Sequence, residues 1–157
     1  MANETKVKIG KLEVSSPSFK HEDFISETYC CDGENINPAI SVEQIPSEAK
    51  SLVLIMDDPD ASGGTFVHWL VFNISPFKGG IEEGTAPGIE GKNDAGKTKY
   101  HGPCPPSGET HRYFFKIYAL DKKLGLSEGA DKESIENAMD GHILSSGSTF
   151  GLFSKPA

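Results

Sequence analysis

Hydrophobic positions along the chain gather into runs that read as β-strands. Residues 51–56, "SLVLIM", carry no charge, as expected of a strand buried on both faces, and the run stops at Asp57, Asp58 and Asp60. After a Gly-containing turn, "FVHWLVFNI" at 66–74 repeats the pattern with His68 inside it. "HRYFFKIYALD" at 111–121 supplies another central strand. Residues 5–14, "TKVKIGKLEV", alternate like a half-buried strand until "SPSF" breaks the pattern. Short strands are predicted at 24–28 and 39–42, and a last one in "GSTFGLFSK". One helix is predicted: Asp131 caps it, Ile135, Ala138 and Met139 fall at helical spacing, and Gly141 follows its end.

Successive strand residues point to opposite faces, so strict alternation puts His68 with Phe66, Leu70, Phe72 and Ile74. Asp58 falls in line with Leu52, Leu54 and Met56, and His111 and Tyr113 with Phe115, Ile117 and Ala119. Arg112, Phe114, Lys116 and Tyr118 take the opposite face. If these strands are neighbours, Asp58, His68, His111 and Tyr113 meet at one end of the sheet as a small polar pocket over an apolar floor, the form of a ligand site.

Composition narrows the picture. A length of 157 residues fits one domain, 1–157, and 17 Gly with 10 Pro favour turns over long helices. A net charge of −8 argues against nucleic acid and against an anionic membrane surface. No apolar run reaches the ~20 residues of a membrane-spanning helix, and the N-terminus lacks the apolar core of a signal peptide. Cys30 and Cys31 are adjacent in a set of three cysteines, which predicts reduced thiols and, with them, a cytoplasmic location.

The pocket has a chemistry. A buried carboxylate needs hydrogen bonds, so Asp58 is expected to accept from an imidazole or from loop backbone and to fix the ring tautomer. The remaining donors then face outward and suit an anion. Residues 78–108, dense in Gly, Pro, Asn and Lys, read as a functional loop. Its end, "YHGPCPPSGETHRYF" at 100–114, forms a stiff lip, where Gly102 and Gly108 permit close backbone approach. Asp57 and Asp60 also read as turn formers, and Arg112 as the structural partner of an acid. Cys104 reads as a thiol beside the pocket or a small buried residue, Cys30 and Cys31 as packing residues, and His101 and His142 receive no role.

"DPDAS" followed by "HWLVFNI", then "GPCPPSGETHRYFFKIYALD", resembles the paired signatures of the phosphatidylethanolamine-binding protein family, which includes the Raf kinase inhibitor proteins. "SIENAMDGHIL" is similar to its compact prokaryotic branch. The resemblance implies a mainly β fold, with a large central antiparallel sheet packed with a smaller sheet and one or two short helices. It assigns Asp58, His68, Gly102, Pro105, His111 and Tyr113 to a pocket for phosphate or a phosphorylated small molecule, with Asp60 and Cys104 supporting it. It further implies a binding protein and not an enzyme, without cofactor or metal, that regulates or inhibits a partner protein of kinase or protease type and can form a homodimer. Ser62 stands where the family often has proline, Cys104 where it often has glycine, and "GGT" replaces a longer charged insert, which argues against a kinase-regulating surface.

Other chemistries use the same residues. Asp58, His68 and His111 have the residue types of a two-His, one-carboxylate metal site, although no H-x-x-x-H or C-x-x-C pair is present. Ser62 or Ser107 with His and Asp has those of a hydrolase, although neither lies in a G-x-S-x-G elbow.

Overall fold

A computed structural model describes residues 9–156. In chain order its elements are β1 (Gly10–Lys11), β2 (Glu13–Ser15), β3 (Ile40–Glu43), β4 (Ser51–Asp58), β5 (Phe66–Ile74), β6 (Gly80–Ile81), β7 (Ile89–Glu90), β8 (Thr110–Leu120), α1 (Lys132–Met139) and β9 (Ile143–Ser154). A six-stranded sheet has the order β1-β9-β8-β4-β5-β7, and β2, β3 and β6 form a smaller sheet. The large sheet is antiparallel except at one edge, where β1 runs parallel to β9. The large, mainly antiparallel sheet with a smaller sheet beside it and one helix is the architecture that the resemblance implied, with the parallel β1–β9 edge making the large sheet mixed.

Strand β4 lies between β5 and β8, and all its residues are buried. Its uninterrupted apolar run follows from that position, because both faces are covered. Leu52, Leu54 and Met56 join Ile40, Val42 and Ile81 in the core that contains residues of both sheets. Val53 and Ile55 pack with Ile135 and Met139 of α1 on the other face. The helix starts as its sequence predicts: Asp131 Oδ1 accepts from the Ser134 N–H at 2.9 Å, and Gly141 at φ 80° takes the chain out.

Strict alternation fails in β5. Met56 pairs with Trp69 but Asp57 pairs with Val67, so His68 is an extra residue in a β-bulge. A second irregularity falls between the Leu54–Val71 and Leu52–Ile74 pairs, where Asn73 adopts φ 56°. The expected companions of His68 are therefore wrong in part. Leu70 and Phe72 pack on the helix side, whereas Trp69, Val71 and Ile74 join the inter-sheet core. The Asn73 side chain exchanges two hydrogen bonds with the Leu124 backbone, at 2.7 and 2.9 Å, which holds this conformation.

Other expectations shift for local reasons. Residues 5–8 of the first predicted strand lie outside the described residues. The remainder divides at buried Leu12, so that β1 pairs with β9 and β2 with β3. No strand forms at 24–28: Phe24 makes a single bridge to Leu152, and Ser26 caps a 3-10 turn at Glu27–Tyr29 by accepting from the Thr28 N–H. Residues 78–108 hold the short strands β6 and β7 between stretches without regular structure.

The largest correction concerns the cysteines. Cys31 and Cys104 form a disulfide across a separation of 73 residues, and Cys30 is a buried free thiol. Adjacency disfavours a Cys30–Cys31 bridge but says nothing about a distant partner delivered by the fold. Cys104 is accordingly neither a free thiol nor a buried small residue, and the argument from reduced thiols to a cytoplasmic location lapses. No helix among the described residues is long and apolar enough to cross a membrane.

Candidate functional site

The ends of β4, β5 and β8 meet at a cavity of about 150 Å³. Asp58, Phe66, His68, His111 and Tyr113 line it from the strands, Ala61 and Ser62 from the turn after β4, and His101, Cys104, Pro105 and Pro106 from the loop before β8. A larger hollow of about 270 Å³ beside Ile74 and Gly80 brings in a single ionisable side chain, Glu82. Convergent polar groups, not volume, make the first cavity the candidate site.

Asp58 organises one wall. Its Oδ1 accepts from the Asp60 N–H at 2.8 Å, and its Oδ2 accepts from His111 Nδ1 at 2.6 Å. His111 Nε2 donates to Glu109 Oε1 at 2.8 Å. An imidazole that donates from both nitrogens is an imidazolium. Burial opposes that charge, but the hydrogen bonds to Glu109 and Asp58 outweigh it, and the pKa of His111 is raised.

His68 is the opposite case. Its Nδ1–H donates to the His101 carbonyl at 2.7 Å, and its ring stacks on that of His101, with centroids 5.5 Å apart. Burial pushes its pKa down, so the ring stays neutral and offers the Nε2 lone pair. His101 is also lowered, by burial and by the charges of Lys97 and Lys99.

Between the two histidines stands Tyr113, fully buried and edge-on to His68 at 5.3 Å. Its hydroxyl has no hydrogen-bond partner among the described residues. Burial and the nearby Asp58 charge raise its pKa, so it is a donor at any ordinary pH.

Asp60 lies behind this wall. It accepts from the Arg112 backbone N–H at 2.9 Å and from its guanidinium at 2.8 and 3.0 Å. The side-chain hydrogen bond from Arg112 is the main reason its pKa falls to about 2. A carboxyl depressed from 3.8 contributes stability above that pH and loses the contribution as pH falls toward 2. Asp60→Asn is therefore expected to lower stability by about 1 kcal/mol at neutral pH, a bidentate but half-exposed pair being worth no more. Denaturant unfolding of both proteins at about pH 7 and about pH 2 checks this, and the curves should converge at the acid end.

The lip is seated on the 27–35 segment. Gly102 N–H donates to Asn35 Oδ1 at 2.8 Å, Cys31 N–H to the Pro103 carbonyl at 3.0 Å, and the Tyr100 hydroxyl to the Tyr29 carbonyl at 2.9 Å. A Cβ on Gly102 would stand 2.1 Å from the Tyr29 carbonyl oxygen. The lack of a side chain at Gly102 thus serves packing behind the pocket, and Gly102 is not among the lining residues. Pro105 lines the cavity, and Cys104 lies at its rim, tied to Cys31.

Sequence reasoning passed over His101 and Glu109. Glu109 stands two residues before His111, so the alternation that paired His111 with Tyr113 pointed to it as well. His101 lies in a loop, where no periodicity speaks. Ser62 reaches the cavity without a hydrogen bond to any ring nitrogen, and Ser107 bridges to Lys155 instead. Among the described residues no group of three His, Cys, Asp or Glu is placed to hold a metal ion.

The sequence model of the family "phosphatidylethanolamine-binding protein" matches residues 15–154. A UPF0098 protein of Methanothermobacter thermautotrophicus is 46% identical, over 90% of this chain and 98% of that one. Another from Pyrococcus abyssi is 44% identical, over 92% and 85%. A crystal structure of a phosphatidylethanolamine-binding protein homolog from Chlamydia trachomatis superposes with a TM-score of 0.88 at 39% identity, covering 93% of this chain and 99% of that one. E. coli YbcL, described as a member of the mammalian family, shares the fold, with a TM-score of 0.84 at 23% identity over 92% and 99%.

Proposed function

The chain belongs to the phosphatidylethanolamine-binding protein family, and on that premise we propose that its pocket binds phosphate or the phosphorylated head group of a small molecule without catalysing a reaction on it. The observation that carries this reading is the fully buried Tyr113 hydroxyl, which has no partner among the described residues and stands beside an imidazolium. A buried donor left unpaired costs about 1–3 kcal/mol, and an oxyanion in the cavity relieves that cost. The cavity of about 150 Å³ suits a head group rather than a larger ligand. The lip, stiffened by Pro103, Pro105 and Pro106 and seated on residues 27–35, needs little ordering on binding. The protein acts in this reading as a regulator or inhibitor of a partner protein, with pocket occupancy stabilising the lip that the partner meets.

Titration with phosphate and with phosphoethanolamine, followed by NMR of the His68, His111 and Tyr113 side chains, tests the pocket. Saturable shifts at these three residues are expected. Unmoved signals remove the anion reading, and zinc shifting both histidines would favour a metal site instead.

A further inference from the structure

The two imidazoles that line the cavity have opposite hydrogen-bonding characters. His111 gives both ring nitrogens to carboxylates, at 2.6 and 2.8 Å. His68 gives only one. Its Nδ1–H donates to the His101 carbonyl, which can only accept, so in the neutral ring Nε2 carries a lone pair and no proton. Burial is the main reason the ring stays neutral, against the pull of the His101 carbonyl and the Asp58 charge. Among the described side chains, the buried polar atoms sealed from solvent without a partner are Asp57 Oδ1 and the Tyr113 hydroxyl. His68 Nε2, equally without a partner, is not sealed and opens into the cavity that its ring lines.

Tyr113 supplies the complementary group. Its ring centroid lies 5.3 Å from that of His68, and its hydroxyl is a donor still lacking an acceptor. A ligand in the cavity that both rings line therefore meets a donor and an acceptor side by side. Charge does little sorting here. No Lys or Arg lines the cavity, and the charges of Asp58 and of the His111 imidazolium offset each other. Among tetrahedral anions, hydrogen-bond direction is left to discriminate.

We propose that His68 Nε2 selects phosphoryl groups that retain a proton: the ligand accepts from the Tyr113 hydroxyl and donates its own P–OH to His68 Nε2. This rests on the anion-binding reading above. Free phosphate and the monoanion of a phosphate monoester carry that proton. Sulfate and phosphodiesters, the linkage of a phospholipid included, do not. With those ions an oxygen lone pair faces the ring lone pair and a buried acceptor stays unpaired, which disfavours them at least about tenfold.

Slightly above neutral pH, inorganic phosphate is chiefly a dianion with one proton and sulfate a dianion of the same shape with none, so comparing them isolates the proton. NMR titration of the wild type, reading the His68 and Tyr113 side chains, should show phosphate binding at least about tenfold tighter than sulfate or dimethyl phosphate. In the phosphate complex the signal of His68 Nε2 should remain that of an unprotonated nitrogen. His68→Phe and His68→Gln, which remove the fixed lone pair, should bring the phosphate and sulfate affinities together, whereas Tyr113→Phe should weaken phosphate and keep the preference. At about pH 6, where about half of a monoester keeps its proton, saturable shifts with methyl phosphate support the selection with monoesters in the class, and phosphate shifts alone support it with free phosphate as the ligand. Equal wild-type affinity for phosphate and sulfate, a preference that survives both His68 variants, or an Nε2 that gains a proton when phosphate binds overturns the selection and leaves the pocket reading standing. Phosphate shifts absent from the wild type overturn both.

Discussion

Breaking the Cys31–Cys104 bridge is expected to lower the stability of the protein by about 4 kcal/mol, a value set by the 73-residue separation it closes. A cross-link over so long a segment removes many conformations from the unfolded chain, and its loss returns them. The pocket should respond far less. Three hydrogen bonds, Gly102 to Asn35, Cys31 to Pro103 and Tyr100 to Tyr29, still seat the lip when the sulfurs part. Denaturant unfolding of wild type with and without a thiol reductant, and of Cys31→Ser/Cys104→Ser, measures the first effect. Phosphate titration of the same samples measures the second. A stability change below about 1 kcal/mol would mean that the bridge adds nothing to the folded chain, and a collapse of affinity would mean that the lip has no seat of its own.

Asp58→Ala is expected to weaken phosphate binding at least about tenfold and to cost about 3 kcal/mol of stability, as for a buried ion pair that loses one partner. The change leaves His111 Nδ1 and the Asp60 N–H without their acceptor and removes a charge that keeps the ring protonated. The pH dependence follows from the direction of the His111 shift. Its pKa in the folded protein is raised above the ordinary 6.5, so its contribution is fully present below 6.5 and is lost as pH rises through the raised value. In Asp58→Ala that alkaline decline should shrink to the share that Glu109 sustains. Asp58→Asn, which keeps an acceptor but no charge, should recover part of the stability and none of the pH dependence. Phosphate affinity equal to wild type in both variants would show that Asp58 does not organise the pocket.

The fold class was legible because its signals are local. The charge-free run at 51–56, the aromatic run at 111–121 and the capped helix after Asp131 each declare their element within a few residues, and each lies where its pattern predicts. Side-chain parity brought Asp58, His111 and Tyr113 to one face at one end of the sheet, and the structure joins them in one cavity with His68, which reaches it through the bulge that parity did not foresee. That Arg112 pairs with an acid was likewise legible from the face it takes, whereas the identity of that acid, Asp60, came only from the structure.

What the sequence alone left open involves partners distant in the chain. Periodicity cannot register a bulge, so the true companions of His68 emerged only when β4 fixed the register of β5. The turn from β1 into β2 changes sheets because each short strand pairs with a strand far along the chain. Adjacent cysteines suggested thiols, and only the seating of the lip on residues 27–35 brought Cys104 to Cys31. Composition and strand periodicity therefore determined the elements and the chemical types gathered at the site. Tertiary structure decided the disulfide, the protonation of His111 between two carboxylates and the unpaired Tyr113 hydroxyl, because each depends on distances between groups that the linear order does not encode.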